Sequence, residues 1–192
     1  MLRRRRPKTP RVDLSTLEPR WRRPVAEALE ARDRFEALTS RLRGGPTRER
    51  LEALRGRLDA GVVACWEIAS TAQAAATSLD ALEPDAVTAR MKDARRRLSV
   101  APAGSPEAER VRAELDLLSA QMASVSRIWD GIDAAADRLR LLELRLDGAV
   151  ARAAELLLTP ASDTLVAGVE DDLTAAVDEL EALRQAVASL RR

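Results

Sequence analysis

Apolar residues recur along this chain in steps of three and four, with polar residues between them, and that period predicts helices. The longest such stretch runs from Ser105 to Pro160 with Val111, Leu115, Leu118, Met122, Val125, Trp129, Ile132, Ala135, Leu139, Leu142, Leu146, Ala149, Ala153 and Leu156 on one stripe. Its steps alternate except at 129, 132 and 135, where two threes follow one another, a stammer in the heptad register. Ser105 suits the N-cap, Pro106 the first helical position, and Glu107 the positive end of the helix dipole. At ~1.5 Å per residue the helix would be a rod of roughly 80 Å. Gly131 and Gly148 inside it cost about 1 kcal/mol each.

The other stripes are shorter. Trp21, Val25, Ala28, Ala31, Phe35, Leu38 and Leu42, flanked by Leu29, predict a helix over about 21–43, which Gly44-Gly45-Pro46 ends. Leu51, Leu54, Leu58, Val62, Cys65, Ala69, Ala72, Ala76 and Leu79 predict a second from Thr47. Leu82-Glu83-Pro84-Asp85 interrupts it as a kink or a short break, and Val87, Met91 and Leu98 continue on a weaker helix over 85–99. The last helix, 163–192, alternates without error through Val166, Val169, Leu173, Ala176, Leu180, Leu183, Val187 and Leu190. Ser15-Thr16-Leu17-Glu18 fits a capping box, but Pro19 limits it to a single turn.

Short turns make consecutive helices antiparallel, so residues equidistant from a turn face one another. The 44–46 turn then sets Trp21 near Trp66 and Phe35 near Leu54. The predicted fold is all-α: an antiparallel, coiled-coil-like four-helix bundle with a projecting two-helix hairpin. Bundle segments fall at 22–70 and 136–190, the hairpin arm at 71–133, all in one domain over 21–192, preceded by a disordered basic tail over 1–20. In the rival arrangement 85–99 folds back onto the bundle.

Composition agrees with helices: 46% hydrophobic and 33% charged residues, 2% aromatic, no tyrosine and one phenylalanine, Phe35. The arginine and alanine excess suits a bacterial genome of high G+C content. The formal charge of +1 hides an asymmetry, because residues 1–24 hold nine Arg/Lys against Asp13 and Glu18. Arg3, Arg4, Arg5, Arg6, Lys8 and Arg11 form the functional-looking cluster. It could hold an anionic membrane surface at ~1 kcal/mol per basic residue, hold nucleic acid through phosphates, or merely solubilise the chain. Without interleaved aromatics, nucleic acid ranks below the membrane. The acidic flank of the last helix (Glu170, Asp171, Asp172, Asp178, Glu179, Glu181) reads as a solvated surface.

Chemistry is sparse. No histidine is present, which removes the commonest general base and metal ligand. Gly44-Gly45-Pro46 lacks the Lys-Ser/Thr of a phosphate loop. Cys65, on the apolar stripe, reads as a small core residue, and one cysteine allows no internal disulfide. Trp21, Phe35, Trp66 and Trp129 read as core anchors. No cofactor, metal, small-molecule substrate or catalysis is expected. With no apolar run near the ~20 residues of a membrane span, the expected location is cytoplasmic, with peripheral contact at the inner face of the membrane as an addition.

The leading functional expectation is a non-catalytic scaffold or adaptor acting through helix–helix protein contacts, with homo-oligomerisation included. The second is a peripheral membrane protein. In gross shape the expected hairpin over 47–159 resembles the phage-shock-protein-A class of membrane-stress proteins, which implies action at the inner bacterial membrane. The third is a nucleic-acid-associated protein using the same tail.

Overall fold

The computed structural model describes residues 12–41, 45–158 and 163–189. Among these residues it is all-helical, without strands. A single 3-10 turn, Leu14–Thr16, precedes α1 (Pro19–Arg41), α2 (Pro46–Asp80), α3 (Pro84–Val100), α4 (Pro106–Leu158) and α5 (Asp163–Ser189). The chain divides into two compact units, one of Met1–Gln73 with Ala135–Arg192 and one of Ala74–Ala134.

Helix ends follow local chemistry. The Ser105 hydroxyl accepts from the Ala108 amide (3.1 Å), and Pro106 opens α4. Between α2 and α3 the chain breaks rather than kinks. Glu83 adopts the left-handed region (φ 47°, ψ 61°), its amide donates back to Asp80, and its carbonyl accepts from Ala86 and Val87. Pro84 then supplies the first helical residue, whose missing N–H is no loss there.

In the first unit, ion pairs across helices give their directions. Glu36 meets Arg55 (2.8 Å) and Arg32 approaches Asp59 (3.9 Å), so α1 and α2 are antiparallel about their turn. Arg145–Glu179 and Arg152–Asp172 make α4 antiparallel to α5. Arg50–Glu170, Arg57–Thr174 and Glu67–Arg184 rise together, so α2 and α5 are parallel. Arg34–Asp147 and the Glu27–Glu143 pair do the same for α1 and α4. Gly61 lies where α2 approaches α5, and a Cβ there would sit 3.5 Å from Leu180 and Val177 side-chain carbons.

The stripes become the core. Val166, Val169, Leu173, Ala176, Leu180, Leu183 and Val187 are all buried on α5. On α1 the stripe swaps one member: Thr39 is buried and Leu38 only partly, because the Thr39 hydroxyl satisfies itself on the Glu36 carbonyl (3.0 Å). Ile68 joins the α2 core beside Cys65, Ala69 and Ala72, while Ala76 is only partly buried.

The expected disordered tail over 1–20 differs from the structure over 12–20. Asp13, not Ser15, caps the 3-10 turn, accepting from the Ser15 amide (2.9 Å) and hydroxyl (2.6 Å). Leu17 is 2% exposed. Gln73 holds this segment from α2, accepting from the Glu18 amide (2.7 Å) and donating to the Thr16 carbonyl (3.0 Å). The reason is plain: one buried leucine and satisfied backbone groups offset the ordering cost of a few residues.

In the second unit, Arg97 on α3 pairs with Glu114 on α4 at 2.7 Å. Residues 85–99 thus belong with the first half of α4. Leu79, Val87, Ala94, Ala108, Val111, Leu118, Val125 and Ile132 are buried here.

Candidate interaction surfaces

Arg3, Arg4, Arg5, Arg6, Lys8 and Arg11 lie outside the described residues. Of the four aromatic anchors, Trp21 (2% exposed) and Phe35 (1%) are buried in α1. Trp66 and Trp129 are only partly buried. The Trp66 indole N–H reaches the ordered segment 12–18, donating to the Asp13 carbonyl at 3.4 Å. Trp129 is partly open although Val125 and Ile132, on either side of it along α4, are buried. Arg20 stacks over Trp21, 5.1 Å from the ring centroid.

Cys65 is 1% exposed, and burial pushes its thiol up to about 12. A thiol so desolvated is not a nucleophile near neutral pH. Among the described residues no group of His, Cys, Asp and Glu could hold a metal ion, and no helix is long and apolar enough to cross a membrane.

Two features stand out. The first joins α1 to α4. Arg23 Nε–H donates to Glu27 Oε1 (2.8 Å), Glu27 Oε2 is buried and receives no hydrogen bond from Arg23, and the Glu143 carboxyl is within hydrogen-bonding reach of the Glu27 side chain. That hydrogen bond, burial and the Glu27 charge raise Glu143 to about 7; Asp147 adds to the rise and Arg23 opposes it. Glu27 is held below the usual carboxylate value, first by Glu143 and, against burial, by Arg23. Opposite shifts within one hydrogen-bonded pair mean that the two carboxyls together keep a shared proton to a higher pH than a lone carboxyl would. A recess of about 320 Å³ beside the pair is lined by Pro19, Arg20, Arg23, Arg140 and Leu144. Its cations are engaged: Arg23 with Glu27 and Arg140 with Asp137 (3.1 Å).

The second feature is the flank of the Ala74–Ala134 unit. On α3 and α4 one heptad row is buried, Val87 and Ala94 on α3 and Val111, Leu118, Val125 and Ile132 on α4, with Ala108 buried beside it at the start of α4. Three residues beyond a buried position, Arg97 and Glu114 meet, so those rows share one side. Four residues beyond lie Met91 and Leu98 on α3 and Leu115, Met122 and Trp129 on α4. They share the other side, and all five are only partly buried. Sequence reasoning placed these residues on core stripes. It missed their partial exposure because period alone does not count the helices that cover a stripe. The Glu27–Glu143 pair carried no signal in sequence.

No known protein family, curated protein or solved structure matches the chain.

Proposed function

We propose that the protein is a non-catalytic helical scaffold or adaptor, acting through helix–helix protein contacts. In this reading the first unit is a four-helix bundle of coiled-coil type and the second is a two-helix hairpin. The observation that carries it is the flank of Met91, Leu98, Leu115, Met122 and Trp129, large apolar residues left partly open on paired helices. Such a row has the spacing a further helix needs for knobs-into-holes packing. A solvated surface helix would place polar residues at these positions.

The test is co-purification of the tagged chain from its own cells, comparing wild type with Met122→Glu. A stoichiometric protein lost from the variant supports the proposal. The same set of captured proteins with both, or none with either and a monomeric chain, counts against it.

A further inference from the structure

We infer that the occupant of this flank is a second copy of the same hairpin, related by a two-fold axis along the hairpin's length. The inference rests on the helix–helix reading above and deepens it by naming the partner.

Charge supplies the argument. α3 carries five Arg/Lys against two Asp, whereas residues 106–134 carry six Asp/Glu against three Arg. The rim of the open flank follows this division. On α3 it holds Lys92, Arg95 and Ser99; on α4 it holds Asp116, Ser119, Ala123 and Asp130, all exposed. Lys92, Arg95, Asp116 and Asp130 form no ion pair among the described residues, unlike Arg112, which Glu109 engages at 2.5 Å. Each copy therefore offers a basic edge and an acidic edge beside one apolar row, a self-complementary surface.

The levels agree as well. The Arg97–Glu114 pair sets the register, and counting back along α3 and forward along α4 brings Arg95 level with Asp116. A two-fold axis along the hairpin preserves levels while laying α3 of one copy antiparallel on α4 of the other. Arg95 then meets Asp116 of the second copy twice over, Lys92 follows one turn on, and Leu98 and Met91 fall near Leu115 and Met122. Ser119 and Ala123, being small, let the backbones approach. Other two-fold arrangements set α3 on α3, where Lys92 and Arg95 would confront their own copies.

The purified full chain tests this by sedimentation equilibrium. Wild type should dimerise, and Met122→Glu should be monomeric at the same concentration with its helicity at 222 nm retained. Asp116→Arg, at an exposed position that folding does not need, should weaken the dimer about tenfold or more. Arg95→Asp with Asp116→Arg should restore it to within a few-fold. A monomeric wild type at ~100 μM overturns the inference even if another protein is captured from cells, which would leave the scaffold reading standing. A dimer indifferent to Asp116→Arg, or one the double exchange fails to restore, overturns it too.

Discussion

The shared proton between Glu27 and Glu143 makes stability fall as pH rises through neutrality. Glu143 has a folded value of about 7 against the ordinary 4.5 of a free glutamate. A group whose folded value is raised contributes its full stability below the unfolded value and loses it as pH climbs through the folded one. The window is therefore pH 4.5 to about 7. Linkage at ~1.4 kcal/mol per pH unit sets a ceiling of about 3 kcal/mol, and solvent reaching the partly exposed pair reduces this to about 1–2 kcal/mol. For a chain of this size that is roughly 3–6 °C in Tm. The absence of histidine leaves this range almost free of other titrating side chains, since Cys65 lies far above it. Thermal unfolding followed at 222 nm from pH 5.5 to 7.5 measures the slope. Glu143→Gln replaces the acid proton with an amide N–H that donates to Glu27 at every pH, so its Tm should stay level while the wild-type Tm falls away from it between pH 5.5 and 7.5. A wild-type Tm that does not fall, or a Glu143→Gln protein with the same slope, refutes the shared proton.

Three further outcomes follow from single positions. At pH 8 about one Cys65 thiol in ten thousand is ionised, given a value of about 12, so a disulfide reagent should react at a small fraction of the free-thiol rate until guanidinium unfolds the chain. Glu83→Gly removes a side chain from a left-handed position (φ 47°) where it makes no capping bond. It should stabilise by about 1 kcal/mol, read as a higher denaturation midpoint. Gly61→Ala adds a methyl at ordinary contact distance from Leu180 and Val177 and gains helix propensity. It should stabilise by up to about 1 kcal/mol, whereas Gly61→Leu overfills the α2–α5 contact and lowers Tm.

Long periodic stripes and their caps were legible in the sequence. The α5 stripe and the Ser105 cap need only neighbours within one helix; the cap holds in the structure and so does the stripe through Val187, Leu190 lying outside the described residues. The turn rule also has physical force, because a short connection between α1 and α2 leaves Glu36 and Arg55 little choice but to face each other. It says nothing of helices that are not consecutive. The α1–α4 and α2–α5 contacts, and with them Glu27–Glu143 and Arg50–Glu170, could not be read, since each residue alone looks like solvated surface. Leu17 was hidden for another reason. Leu14 and Trp21 stand three and four residues from it, but Pro19 separates it from the α1 stripe, and only Gln73 and Trp66, far along the chain, reveal that its segment is held.

One helix shows why a stripe alone does not define a site. From Ala135 to Ala153 the stripe of α4 is buried throughout, and this half has ionic partners on both α1 and α5. From Val111 to Trp129 the same pattern divides into a buried row and a partly open one, and Glu114 in this half pairs with Arg97 on α3. The residue types hardly differ; the number of flanking helices does. The stammer at 129–132–135 straddles the border between the units after Ala134, and a three-residue step rotates the stripe against its previous course. Before it, α4 aims one row at a single neighbour and leaves Leu115, Met122 and Trp129 to the side. After it, the stripe meets neighbours on two sides. A partly open apolar row is thus written in the same period as a buried one, and what separates the two is what the fold brings alongside.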